Sequence, residues 1–371
     1  MTRIITSRLG VEYGERQELV PAVDIERRAK IGCVMNDGHG PKRNRDSLAV
    51  RRIQFPAVSA RMIRNVELCR GFVVRQEDAI FADASIYSIG AKTQEDVEKV
   101  ARGLLHHSAD FSASENRTLS IADPVLITSN EGSGTWGHWV VHNFPRIALA
   151  RAVFPEVLVM IPDSYFGSHA NFGALLSEID FPRDQLLPSR NNVLYKLETA
   201  ILVDYLYERN AVHPYCIDLF DSIAKKRPSS ESILQPRIAI ERTTKDKREI
   251  ANHDEFSGLL SASGFQSDRL GARPLKEQIA VWTQTKIACS ILGSDFASIV
   301  FGQTDGAVMA ITPSWFGDDF FFDLAAARGM TWNELFCGRI DAERTPIINS
   351  SFRVDIDAAG KFLQASVGDG Q

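Results

Sequence analysis

Four short apolar runs constrain the fold of this chain more than any other feature: EVLVMIP from Glu156, RIAIERT from Arg237, KIACSIL from Lys286 and GAVMAITP from Gly306. They are too short for stable helices. EVLVMIP also lacks the polar alternation of a half-exposed strand, so it reads as a strand buried on both faces. Amphipathic helical patterns alternate with these runs: NFGALLSEID, HPYCIDLFDSIAKK, NHDEFSGLLSASGF, LKEQIAVWTQT and FFFDLAAARGM. The second ends in lysines, which suit a helix C-terminus. The third starts at Asn252 as N-cap, has Glu255 three residues on and stops at Gly264. Strands and helices alternating with short connections imply a parallel sheet covered on both faces, with ligands at the carboxyl ends of its strands.

A chain of 371 residues is expected to hold two domains. The polar, Pro- and Ser-rich RPSSESILQP is the best boundary. It gives a first lobe of residues 1–228, in which residues 1–60 are an irregular or β extension, and a second lobe of residues 229–371. NVELCRGFVVRQEDAIFADASIYSI, from Asn65, adds strands to the first lobe around a polar RQED turn. SSFRVDIDAAGKFLQAS, from Ser350, alternates around an AAG turn and is expected to be a C-terminal β-hairpin. The expected fold class is therefore α/β: two lobes with parallel sheets, extra strands in the first and a hairpin at the end of the second.

The net charge of −5 and pI near 6.0 argue against nucleic acid as a partner, which would need a basic footprint. One basic stretch, KRNRDSLAVRR, is either a solvated loop or a contact for an acidic lipid surface or anionic glycan. The five cysteines are scattered, odd in number and without a CxxC, which suits a reducing compartment. The first residues lack an apolar signal core, and no apolar run reaches the length of about 18 residues that spans a bilayer. The expected location is cytoplasmic, with peripheral contact at the inner face of the membrane or with a partner enzyme left open. The oligomeric state is not readable.

GSGTWGHWVVHNFPR, from Gly132 to Arg146, carries the densest chemistry. On a helix, His138 and His142 share one face at i, i+4, the spacing of a zinc protease. Trp139, however, stands where such an enzyme has its glutamate, and no third ligand follows, so no metal is expected. Pro145 either kinks a single helix or sits in the first turn of a second one capped by Asn143. Asp355 and Asp357 form a DxD, but they alternate with apolar residues as the polar face of a strand would. There is no GxSxG, GxGxxG or P-loop. ERTTKDKREIAN places Arg242, Lys245, Lys247 and Arg248 in a loop after a strand, where cations suit a diphosphate or are simply solvated. LGSDFAS puts Gly293 and Ser294 at a strand–helix turn whose free N–H groups suit an anion.

Together these segments resemble glycosyltransferase family 61, over roughly residues 65–335. GHWVVHNFPRI, RTTKDKREIANHDEF with Arg242, Arg248 and Asn252, a stretch with Gln278, GSDFASIVF and GAVMAITP follow the order and spacing of that family's motifs. The chain departs from the pattern at His142, at Leu292, at Ser298 and at Asn252-His253.

The resemblance implies a GT-B-like arrangement of two Rossmann-like lobes, with a nucleotide sugar held mainly by the second. It implies metal-independent, inverting transfer of a hexosyl or pentosyl group to a glycan or lipid-linked glycan acceptor, in capsular or exopolysaccharide synthesis. The nucleotide sugar is then a co-substrate, and no cofactor is expected. In that reading His138 takes the acceptor proton, its pKa lowered by a helix N-terminus. Arg242, Lys247, Arg248, Asn252, Gln278, Gly293 and Ser294 hold the donor, and Arg146 and His142 lie on the acceptor side. Two alternatives stay open: a degenerate relative that binds glycan or partner enzymes, motivated by the departures, and a metal-dependent hydrolase using His138 and His142.

Overall fold

The computed structural model describes residues 3–5, 13–36, 50–77, 79–81, 117–130, 132–166, 170–208, 211–226, 236–242, 248–314, 319–338 and 350–368. Two compact units emerge, Met1–Val23 with Gln54–Arg209, and Asp24–Ile53 with Asn210–Gln371. The second unit thus borrows strand β1 (Lys30–Asn36) from the N-terminal region expected to be an irregular or β extension of the first lobe. The proposed boundary stretch lies almost wholly outside the described residues. The division falls ahead of helix α3 (Pro214–Lys225), because the buried face of that helix (Cys216, Phe220 and Ile223) belongs to the second unit. Phe220 meets Phe301 there edge to face, with ring centroids 5.2 Å apart.

The first unit is a ten-stranded mixed sheet among the described residues. Its long strands β2 (Val58–Cys69) and β6 (Val193–Val203) pair antiparallel through Ile63↔Ala200. β6 then continues into a parallel stack with β3 (Val125–Ile127), β4 (Leu158–Pro162) and β5 (Leu186–Ser189). EVLVMIP supplies β4, and its Val159, Met160 and Ile161 are fully buried, as an uninterrupted apolar run requires. Helices α1 (Phe144–Val153) and α2 (Ala170–Ser177) belong to this unit.

The second unit is a six-stranded, all-parallel sheet in the order β8-β7-β9-β10-β11-β1, with β7 (Arg237–Ile240), β8 (Gln266–Asp268), β9 (Ile287–Ile291), β10 (Ala307–Pro313) and β11 (Thr331–Cys337). Helices α4 (His253–Ala262), α5 (Leu275–Trp282), α6 (Phe320–Arg328) and α7 (Ile356–Gly368) accompany it. α6 ends where Gly329 takes up the left-handed conformation, φ 72°. From β7 the chain runs to β8 on one side, then returns to β9 on the other, so the order reverses between β7 and β9. That reversal opens a crevice at the strands' carboxyl ends.

The expected C-terminal hairpin is not formed. Phe352 and Val354 are buried in an extended stretch that bridges Ile250 through Phe352, and there the alternation stops. Residues 356–368 are helical instead, and Ala359, Phe362 and Leu363 bury one stripe against Phe256, Leu260 and Leu335 of the core. Spacing of i, i+3 and i+4 is helical, and it outweighs the turn signal of Ala-Ala-Gly. Asp355 caps this helix by accepting the Ala358 N–H at 2.8 Å, and Asp357 lies in its first turn. The acidic pair therefore serves a helix N-terminus rather than a strand face. No helix among the described residues is long and apolar enough to cross a membrane. All five cysteines are free thiols.

Candidate functional site

In the second unit the topological reversal coincides with a cavity of about 330 Å³. Its floor is the ends of β7 and β9, with Ile240, Cys289 and Ser290, and its apolar wall is Ile250, Phe256 and Leu260. Arg242 and Arg248, flanking the expected cationic loop, both line it. Burial disfavours charge on Arg242 and lowers its pKa, while Asp295 opposes the shift. Burial also raises the pKa of Asp295, against the charges of Arg242 and Arg248. The two guanidiniums and this carboxylate thus form one electrostatic cluster at the turn after β9. Arg248 is held at φ 55°, a left-handed conformation that costs a non-glycine residue roughly 1–3 kcal/mol. Such strain persists only where the surroundings fix it.

Gly293 is the contact point of this cluster. A Cβ there would stand 2.8 Å from Arg242 Nη1 and 3.4 Å from Arg248 Nη2. A side chain here would displace the Arg242 guanidinium, whereas the Arg248 guanidinium would be left in near-ordinary contact. Ser294 opens the 3-10 helix Ser294–Phe301 that follows.

Two residues expected to hold the donor do not line this cavity. Asn252 is buried and grips the backbone of Val354 in both directions: its Nδ2 donates to the carbonyl at 2.9 Å and its Oδ1 accepts the N–H at 3.0 Å. It makes no side-chain cap on α4, so the expected capping box does not form; its Nδ2 instead meets Glu255 Oε2 at 3.1 Å. Gln278 is buried on α5 and donates to the Arg273 carbonyl. Lys245 and Lys247, with the middle of the cationic loop, lie outside the described residues, as do Lys42, Arg43 and Arg45. The cavity adds residues the sequence did not single out: Glu241, Ser267, Arg269 and Ser290. Glu241 directly precedes Arg242 at the end of β7, and a closer reading of strand ends would have found it.

In the first unit, GSGTWGHWVVHNFPR folds as a one-turn helix Trp136–His138, a π-helical turn Trp139–Asn143, and α1. Pro145 stands in the first turn of α1 and has no N–H to give to the turn before it. The π-turn absorbs that missing bond, with the Phe144 N–H reaching back to the Trp139 carbonyl. Asn143 does not cap α1 with its side chain. Its Nδ2 donates to Ser133 Oγ at 2.8 Å, while Asn130 Oδ1 accepts the Gly132 N–H at 2.9 Å. These two asparagines order the glycine-rich loop ahead of His138.

His138 and His142 meet at 3.1 Å between their Nδ1 atoms, with stacked rings 5.0 Å apart. Burial lowers the pKa of His138 to about 4. The direction is the one expected, but the cause is desolvation rather than a helix terminus. His142, expected on the acceptor side, is 2 % exposed and boxed in by the rings of Tyr205 and Tyr207. Arg146 is buried too. It donates to the carbonyls of His142 at 2.6 Å, Thr128 at 2.8 Å and Val203 at 3.4 Å, and lies over the Tyr205 ring at 4.2 Å. It ties the ends of β3 and β6 to the π-turn, so the residue expected on the acceptor side spends its guanidinium on three backbone carbonyls.

No group of three or more His, Cys, Asp or Glu suited to hold a metal occurs among the described residues. Leu292 and Ser298, two of the departures from the family pattern, are buried at 0 % and 2 % exposure. They are interior packing positions. Among curated proteins nothing matches the chain. Residues 136–309, from the turn that carries His138 to the middle of β10, match the family model Glycosyltransferase 61, and the family 61 resemblance read from the sequence holds over that stretch.

Proposed function

We propose that the chain is a GT-B-like, inverting glycosyltransferase that moves a hexosyl or pentosyl group from a nucleotide-sugar donor to a glycan or lipid-linked glycan acceptor. The observation that carries this reading is that Arg242 and Arg248 line one cavity at the strand reversal, with Gly293 against their guanidiniums, inside the stretch that matches the family model. Two guanidiniums can grip a diphosphate bidentately and stabilise the charge that develops on it as it departs. The apolar wall of Ile250, Phe256 and Leu260 then takes the nucleoside. Inversion needs a base for the acceptor hydroxyl, and His138 in the first unit is neutral at pH 7, as that task requires. Capsular or exopolysaccharide synthesis at the cytoplasmic face of the membrane is the setting this chemistry fits, and free thiols suit a reducing compartment.

Calorimetry with uridine, guanosine, cytidine and thymidine diphosphates tests the donor site. One of them is expected to bind at micromolar to sub-millimolar concentration and to lose at least tenfold affinity in Arg242→Ala. No binding by any at millimolar concentration overturns the donor reading and favours a scaffold.

A further inference from the structure

We infer that His142 is a positioning residue that fixes the tautomer of His138. The inference rests on reading His138 as the base. A contact of 3.1 Å between two Nδ1 atoms is a hydrogen bond only if one nitrogen carries a proton and the other does not. Two arrangements satisfy that. If His138 donates, its Nε2 carries no proton and can take one from a substrate hydroxyl. If His142 donates, His138 carries its proton on Nε2 and is a base nowhere. Only the first arrangement serves inversion, and it assigns the acceptor role to His142.

The surroundings hold His142 still enough for this. Its ring stands edge-on to Tyr205, 5.6 Å between centroids, and tilted against Tyr207 at 5.4 Å. Its backbone carbonyl is gripped by Arg146 Nε. The π-turn between the two histidines is itself fixed by Pro145. Orientation of a catalytic imidazole by a hydrogen bond to its other nitrogen is a recurring device. Here a second buried imidazole fills the place a carboxylate usually takes. A neutral partner sets the tautomer without placing a negative charge beside His138.

The tautomers can be read directly. In the full chain with ¹⁵N-labelled histidine, two-bond ¹H–¹⁵N spectra at neutral pH are expected to show His138 protonated at Nδ1 and His142 at Nε2. The reverse pair, or fast exchange between both forms, overturns the proposal. So does a stoichiometric zinc ion that is lost in His142→Phe. In a sugar-transfer assay, His142→Phe is expected to lower kcat at least tenfold with the KM for donor within about twofold. His142→Asn, whose Oδ1 can accept the same proton, is expected to recover most of that loss. Equal losses in Phe and Asn variants that remain folded overturn the proposal. Failure of the base reading is separate: it shows as His138→Ala retaining activity, whatever tautomer the spectra report.

Discussion

Gly293 and Arg242 touch: the space where a glycine lacks its methyl group is occupied by a guanidinium nitrogen, 2.8 Å from the position a Cβ would take. This contact links the backbone at the end of β9 to the cation that follows β7. Gly293→Ala should therefore act on the cation and leave the sheet intact, because the atom that must yield is the free end of a flexible side chain. Nucleoside-diphosphate affinity is expected to fall about tenfold, near 1.4 kcal/mol. The urea midpoint should shift little. A large loss of stability with unchanged affinity would contradict this arrangement.

Arg248 presents the opposite balance. Its left-handed backbone and buried charge both cost stability, so Arg248→Gly should leave the unfolding free energy unchanged or raised by about 1 kcal/mol. The same variant should lose at least tenfold in nucleotide affinity. Urea unfolding and calorimetry on one preparation check both halves.

Arg146 is expected to behave as a structural residue. Removing its side chain orphans the carbonyls of Thr128, Val203 and His142, at a cost of at least about 3 kcal/mol. Arg146→Lys should not rescue, since one ammonium cannot span three carbonyls in the geometry of the fork. Chemical denaturation of Arg146→Lys and Arg146→Met would show it. A variant with normal stability and only a raised KM for acceptor would restore the acceptor-side role.

His138 makes stability depend on pH. Its folded pKa of about 4 lies below its ordinary 6.5, so between these values the unfolded chain binds more protons than the folded one. The contribution is full above about 6.5 and is lost as pH falls towards 4. Each pH unit in that window changes stability by at most about 1.4 kcal/mol. His138→Gln should flatten this part of the stability–pH curve. If its slope matches that of the parent chain, the buried, neutral state of His138 is wrong.

Gly360 lies inside α7, with nothing within 4 Å of where its Cβ would be. Gly360→Ala should stabilise the chain by about 0.5–1 kcal/mol, because glycine costs that much in a helix interior. A lower melting temperature would argue that residues 356–368 are not a helix.

Legibility followed the range of the physics involved. The strands EVLVMIP, RIAIERT, KIACSIL and GAVMAITP were readable because burial on both faces leaves a mark in a few consecutive residues. Arg242, Arg248 and Gly293 were readable because chain order already places them at strand ends. Asn252 and Gln278 looked like ligands by motif, yet each turned to a backbone carbonyl: that of Val354, which only the folded chain brings near, and that of Arg273, five residues back along the chain. The meeting of His138 and His142 was half visible: spacing gave the shared face, whereas the burial of His142 depends on Tyr205 and Tyr207, far along the chain. The C-terminal helix was hidden because alternation before Asp355 is genuine and stops without a break in composition.

Strand β1 sets an order of events during synthesis. Cys33 donates its backbone N–H to Oδ1 of Asn333, a partner 300 residues further on. The N-terminal strand leaves the ribosome long before β11 exists to receive it. Until then the second unit lacks its outermost strand, and each chain carries both an unclaimed strand and, later, the open border that fits it. An unclaimed strand and an open sheet border are where pairing between chains begins, so residues 30–36 are the stretch that most depends on the arrival of its own β11.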